Sequence, residues 1–252
     1  LGFTKTHAFE SNFIFSFSYA FKPDSLIKNG NKLYAKGLYE LAIDTYEQVV
    51  DSGYQASELY YNLGNAYYKS NNIPYAILNF ERAKLLDPFD DDIKHNLALA
   101  NAYVVDKIDA IPEFFLKKWI RNCANITSSD SWAKFSVSAF VIFLLFFLGY
   151  LFFYRPGLKQ LSVWLAILLF FISLSTFYFS LKRKQILTMN NSAVIITPTL
   201  TVKSSPNEEG NDLFIIHEGT VVYIEDSIND WNQIKISDGN KGWIKKTYLV
   251  KI

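Results

Sequence analysis

The side chains that most often carry covalent chemistry are scattered in this sequence. Its three histidines, His7, His95 and His217, are far apart and fall in segments of different character. No His-Glu-x-x-His zinc signature, phosphate-cradling glycine loop or Gly-x-Ser-x-Gly nucleophile turn occurs. His217-Glu218 sits in a turn-rich stretch and reads as structural. Asp90-Asp91-Asp92 lacks the oxygen-ligand spacing of a calcium loop and reads as the start of a helix. The single cysteine, Cys123, excludes an internal disulfide framework and a cysteine-based zinc cluster. No catalytic residue, metal or cofactor is expected, and the chain reads as a non-enzyme. The spacing supports recognition instead. Tyr61, Asn65 and Tyr68 stand at i, i+4 and i+7, so one helix face presents all three, with Lys69 beside them. Tyrosine and asparagine can grip a peptide through ring contacts and backbone hydrogen bonds. Nearer the C-terminus, Trp231 and Trp243 could stack on a peptide or a glycan, with burial as the alternative.

The elements that must position the first set form a repeat. Shifted by 34 residues, the chain falls on itself: Leu26 lands on Tyr60, Gly30 on Gly64, Leu33 on Tyr67, Ala42 on Ala76, Tyr46 on Phe80 and Val49 on Ala83. The copies span 23–56 and 57–90. The first is degenerate, with Asn29 where Leu63 sits and Tyr54 where Pro88 sits. In the second, Tyr60, Leu63, Gly64 and Tyr67 share a face of one helix. Ala76, Phe80 and Ala83 answer from the next, Gly64 and Ala76 are small where the helices cross, and Pro88 punctuates the end. Asp90-Asp91-Asp92 then opens a helix carrying Ile93, Leu97, Ala100 and Val104, which reads as a cap completing a small solenoid over 23–110.

Period and residue types resemble the tetratricopeptide repeat. In that family the face of the first helices not used for packing lines a concave groove. The resemblance places Asn31 and Tyr34 from the first copy, and Tyr61, Asn65, Tyr68 and Lys69 from the second, in a partner-binding groove. The alternative is that these tyrosines pack against the neighbouring helix or the leader.

Two charge-free apolar runs follow, 135–154 and 160–181. Each is about 20 residues, enough for a helix to span a hydrocarbon core. Arg155-Pro156-Gly157-Leu158-Lys159 is expected to be a tight turn between them, so the runs form a transmembrane hairpin with both soluble domains on one side. The juxtamembrane stretch 111–134 mixes Phe114, Phe115 and Trp119 with Lys117, Lys118 and Arg121; it either lies along the bilayer surface or packs as an ordinary helix. Residues 1–22 read as a truncated secretory signal, Phe13-Ile14-Phe15-Ser16-Phe17 followed by Ser18-Tyr19-Ala20, with a disordered leader as the alternative. The basic residues oppose that signal. Lys117, Lys118, Arg121, Lys134, Lys182, Arg183 and Lys184 flank the hairpin outside, against Arg155 and Lys159 in its turn, and such flanks favour the cytoplasm. The signal outweighs them here, and the periplasm is expected. A net charge of +1 argues against nucleic acid as a partner.

From Ala193 the pattern becomes β, with short runs at 193–197, 200–203, 220–225, 231–236 and 242–244 separated by turn residues. The spacing of Val202, His217-Glu218-Gly219-Thr220, Asp230-Trp231, Ile234-Lys235-Ile236, Asp238-Gly239 and Gly242-Trp243-Ile244 resembles a bacterial SH3 domain over 193–252. The fold class expected is therefore a multidomain membrane protein: an all-α tetratricopeptide solenoid, a two-helix transmembrane hairpin and an all-β SH3-like barrel. That domain order resembles the BatE family of the Bacteroides aerotolerance operon. So do Leu59-Tyr60-Tyr61-Asn62-Leu63-Gly64-Asn65-Ala66-Tyr67-Tyr68-Lys69 and Asp91-Asp92-Ile93-Lys94-His95-Asn96-Leu97. The resemblance implies a scaffold in the bacterial inner membrane. It would work beside von Willebrand A-domain membrane proteins and a MoxR-type ATPase, with a part in stress tolerance or envelope maintenance. A second reading is an envelope protein whose SH3-like domain binds peptidoglycan or a wall peptide.

Overall fold

Apolar residues at spacings of three and four build the N-terminal half from helices. In the computed structural model, which describes residues 23–109 and 111–252, these are α1 (Pro23–Ala35), α2 (Tyr39–Asp51), α3 (Ser57–Lys69), α4 (Ile73–Leu86) and α5 (Asp91–Asn101). The expected signal segment, 1–22, lies outside the described residues. The two repeats turn in the same way. Gly37 and Asn71, one period apart, both take a left-handed backbone (φ 76° and 63°). In each repeat the next N–H then reaches back to close the helix, Leu38 to the Leu33 carbonyl at 3.0 Å and Asn72 to the Tyr67 carbonyl at 2.9 Å. The helix pairs cross where glycine permits. A Cβ on Gly64 would stand 2.7 Å from the Phe80 ring, and one on Gly30 would meet the Tyr46 ring. Asp90 caps α5, its carboxylate accepting from the N–H groups of Asp92 (2.8 Å) and Ile93 (3.1 Å).

The central part comprises α6 (Phe115–Asn125), α7 (Ser129–Phe152) and α8 (Pro156–Thr188). Both α7 and α8 are long and apolar enough to cross a membrane. They lie antiparallel, and their contact is not purely apolar. The Ser136 hydroxyl donates to the Ser173 carbonyl at 2.9 Å, and the Ser173 hydroxyl returns the bond to Ser136 at 3.0 Å. Two turns along, Ser129 and Ser180 repeat that reciprocal clasp at 3.1 and 2.8 Å. Small side chains let the backbones approach closely enough for hydroxyls to reach across. The expected turn is shorter than its sequence suggests. Pro156 and Gly157 lie in the first turn of α8, where proline's missing N–H costs nothing, so only 153–155 connect the helices. Helix α8 also continues beyond the charge-free run, through Lys182, Arg183 and Lys184 to Thr188.

The C-terminal part is an antiparallel sheet of seven strands: β1 (Ser192–Ile195), β2 (Thr199–Lys203), β3 (Asp212–His217), β4 (Val221–Ile228), β5 (Trp231–Lys235), β6 (Lys241–Lys245) and β7 (Leu249–Lys251), in the order β3-β2-β6-β5-β4-β1-β7. Ala193, Ile195, Leu200, Val202, Ile216, Val222, Ile234, Ile244 and Leu249 draw every strand into one core, so the sheet coils on itself in the manner of a small SH3-like domain. Five strands are legible in the sequence and seven form. Strand β3 escapes the period-two pattern because Leu213 and Ile215, alternating with inward-facing Ile216, are exposed and apolar. Strand β7 has only three residues behind a 3-10 turn.

The β domain packs directly on the end of the helical repeats. Val194 is buried in one cluster with Ala76, Ile77, Leu97, Ala100 and Val104, with Val221, Val250 and Ile252 against it. Arg82 donates to the Lys251 carbonyl at 2.9 Å, and the Ile111 N–H to that of Ser237 at 3.1 Å. Asp106 accepts from the His217 N–H (2.7 Å), the His217 ring Nδ1 (2.8 Å) and the Thr220 hydroxyl (2.6 Å). A terminal repeat needs its open apolar face covered. Helix α5 covers part of it, and the β domain covers the rest.

Candidate protein-binding face

The repeat period fixes which side chains share the inner face. Asn31 lies on α1, Tyr61 and Asn65 on α3 and Asn96 on α5. Asn62 donates from its Nδ2 to Asn31 Oδ1 at 3.3 Å, and Asn96 donates in the same way to Asn65 Oδ1 at 2.7 Å. Each bond joins residues 31 apart in sequence, one period less one helical turn. One amide contact is thus made twice, and the first helices of successive repeats are linked in a polar row.

The row is anchored from below. Tyr46 donates its hydroxyl to Asn31 Oδ1 at 2.6 Å. Burial first, then the neighbouring Tyr34 and Glu58, pushes that phenol up to about 12, so it remains a donor throughout the physiological range. Asn96 Nδ2 also donates to the Tyr61 hydroxyl at 3.0 Å, and the Tyr61 ring leans on Phe80 with centroids 6.1 Å apart. Tyr34 packs on Tyr39 at 5.3 Å; burial, then Tyr39 and Tyr61, raises its pKa. Tyr68 meets Tyr103 edge-on at 6.0 Å. Lys69 is exposed.

The six side chains read from the sequence are therefore not alike. Tyr34, Tyr61 and Tyr68 are half-buried and touch neighbouring aromatics, so the packing alternative holds for part of each ring. Asn31 and Lys69 are exposed, and Asn65 is half-buried. Among the described residues, Asn65 Nδ2 and Asn96 Oδ1 have no protein partner, so the row offers both a donor and an acceptor. Sequence reasoning misses Asn62 and Asn96 as site residues. Their own 34-residue spacing, parallel to that of Asn31 and Asn65, is the available signal.

The comparison that bears on this face comes from protein families. The tetratricopeptide repeat family model matches residues 57–90. These residues carry Tyr61, Asn65, Tyr68 and Lys69, and the match identifies the second copy as the stronger of the two. Residues 57–90 are thus similar to a tetratricopeptide repeat, a unit that commonly serves in protein–protein interaction. No curated protein matches the chain.

The tryptophans separate. Trp243 is 8% exposed, held on β6 between its cross-strand partners Gln233 and Lys203. Trp231 is half-buried, in an open groove with Pro206, Glu208 and Tyr248, and Lys245 approaches its ring at 5.9 Å. His217 serves in the contact with Asp106. Among the described residues, no three His, Cys, Asp or Glu side chains gather as metal ligands would.

Proposed function

We propose that this protein is a membrane-anchored, non-enzymatic scaffold whose repeat face binds a partner protein in a stress- or aerotolerance-related complex of the bacterial envelope. The observation that carries the reading is the amide row from Asn31 to Asn96, which pairs unused donors and acceptors with flanking tyrosines. Such a surface suits the hydrogen-bonding groups of a peptide backbone, with the tyrosine rings as contacts for its side chains. The resemblance to BatE supplies the candidate partners: von Willebrand A-domain membrane proteins and a MoxR-type ATPase. The hairpin of α7 and α8 would hold the scaffold in the inner membrane, both soluble domains facing the periplasm.

The deciding experiment replaces Asn65 with Ala and Lys69 with Glu in the full chain, sparing the half-buried ring of Tyr61, which packs on Phe80. Co-purification with a co-expressed A-domain protein is expected to drop while the melting temperature stays within a few degrees of wild type. Undiminished recovery of the partner would sink the groove reading. A reporter active only outside the cytoplasm, fused after Ile252, is expected to be active; a stable but silent fusion reverses the topology and favours the ATPase.

A second reading rests on Trp231. Its half-buried ring, lining a groove with Pro206 and Tyr248, supports a wall-binding role for the β domain. In that case Trp231→Ala should abolish sedimentation of the protein with purified peptidoglycan.

A further inference from the structure

Where α8 leaves its charge-free stretch, one cation is buried. Arg183 is 5% exposed. It donates from Nη1 to Asn125 Oδ1 at 2.9 Å and from Nη2 to the Leu86 carbonyl at 2.8 Å. Its Nε is buried without a partner. Among the described residues no carboxylate forms an ion pair with it, and Asp87 attracts it only through space. Two of its five N–H groups are thus committed, and no carboxylate among the described residues pairs directly with the charge. A guanidinium removed from water in this way is costly unless a ligand supplies the missing acceptor.

Arg183 lines a cleft of about 890 Å³ bounded by α4, α6, the end of α8 and the β domain. The other cations facing it are Lys84, Lys117, Arg121 and Lys235, and the facing acids are Glu81 and Glu113. Glu81 is taken by Lys84 at 2.8 Å, Glu113 by Arg121 at 2.7 Å, and Lys235 turns to Glu225 at 3.1 Å. Lys117 and Arg183 are left without a carboxylate among the described residues. The cleft's depth says what could provide the negative charge. The apolar run of α8 ends at Leu181, two residues before Arg183, and α6 on the cleft's wall exposes Phe115 (72%) and Trp119 (56%). Aromatic side chains beside basic ones mark the headgroup layer of a bilayer.

We propose that this cleft is a binding site for the phosphate headgroup of an anionic phospholipid, held by Arg183 and Lys117. The inference rests on the membrane reading given above. Arg183 would use its free N–H groups as a directional clamp on phosphate oxygens, and Lys117 would add a mobile charge at the rim.

The test uses the full chain purified in a neutral detergent and titrated with short-chain phosphatidylglycerol, phosphatidylcholine or inorganic phosphate. Phosphatidylglycerol is expected to bind at least about tenfold more tightly than phosphatidylcholine, a preference that Arg183→Gln removes and Lys117→Gln weakens roughly fivefold. If Arg183→Gln does not fold, Lys117→Gln decides, because its side chain makes no hydrogen bond to the described residues. Equal binding of the two lipids, or a preference unchanged in folded Lys117→Gln, overturns the proposal. Inorganic phosphate competing as well as the anionic lipid overturns the lipid assignment. Alkaline extraction of native membranes separates the two levels. Release of the chain defeats the membrane reading, whereas retention without lipid preference defeats this site alone.

Discussion

Asp106 holds His217 at two points, through the backbone N–H at 2.7 Å and the ring Nδ1 at 2.8 Å, across 111 residues of sequence. The same carboxylate takes the Thr220 hydroxyl, so one side chain just beyond α5 fixes the loop between β3 and β4. Beneath it, a Cβ on Gly219 (φ 84°) would come within 2.9 Å of Val104, which shows how closely the two domains meet. Asp106→Ala is expected to destabilise this junction by about 2–3 kcal/mol, because three donors lose their acceptor and the hydrogen bonds are to a charged group. Increased hydrogen exchange confined to β1, β3 and β4, with α1 to α3 unchanged, would confirm it.

Burial pushes the Asp106 carboxyl up, but bonds from Thr220 and His217 and the attraction of the His217 ring outweigh it, and the pKa is lowered overall. A carboxylate with a depressed folded-state pKa contributes stability that is fully present above its unfolded value of about 3.9 and is lost as pH falls through the folded value. Domain separation should therefore begin only below about pH 4. Limited proteolysis between α5 and β1 as a function of pH reads this directly, and cleavage that rises already near neutrality would contradict it.

Gly64→Ala is expected to cost about 1–3 kcal/mol by overpacking, since the new methyl meets the Phe80 ring, itself fully buried. Phe80→Leu should relieve part of the loss, and thermal melts of the two single variants and the double variant give the coupling.

In the hairpin, Ser136→Ala with Ser173→Ala removes a reciprocal pair of hydrogen bonds and should destabilise the α7–α8 contact by about 1 kcal/mol. Ser136→Leu should cost more, by forcing the backbones apart. Unfolding in increasing dodecyl sulfate, followed by circular dichroism, ranks the three proteins.

Asn96→Ala leaves Tyr61 and Asn65 without their shared donor. The expected loss is about 1 kcal/mol of stability together with weakened partner recovery. A loss of stability without any change in partner binding would mean that the amide row only ties the repeats together.

What the sequence determined was periodic. A 34-residue repeat, two charge-free runs and alternating strands each follow from chemistry within one element, so helical repeats, apolar hairpin and β domain are all legible from residue order. That Tyr61, Asn65 and Tyr68 share one side of α3 is legible to the same extent, since it needs only the pitch of one helix. The tertiary structure decided what depends on elements distant in the chain: that Asn62 and Asn96 continue the polar row, that Trp243 is buried while Trp231 is only half-buried, that serines clasp α7 to α8, and that Asp106 ties the β domain to the repeats. Arg183 shows the difference most plainly. In sequence it is the middle of a basic triplet that flanks the hairpin, and only the convergence of Leu86 and Asn125, beside a cleft shared with the β domain, takes its charge out of solvent. Local pattern reports which face a side chain occupies, whereas burial and pairing are set by whatever the rest of the chain brings against that face.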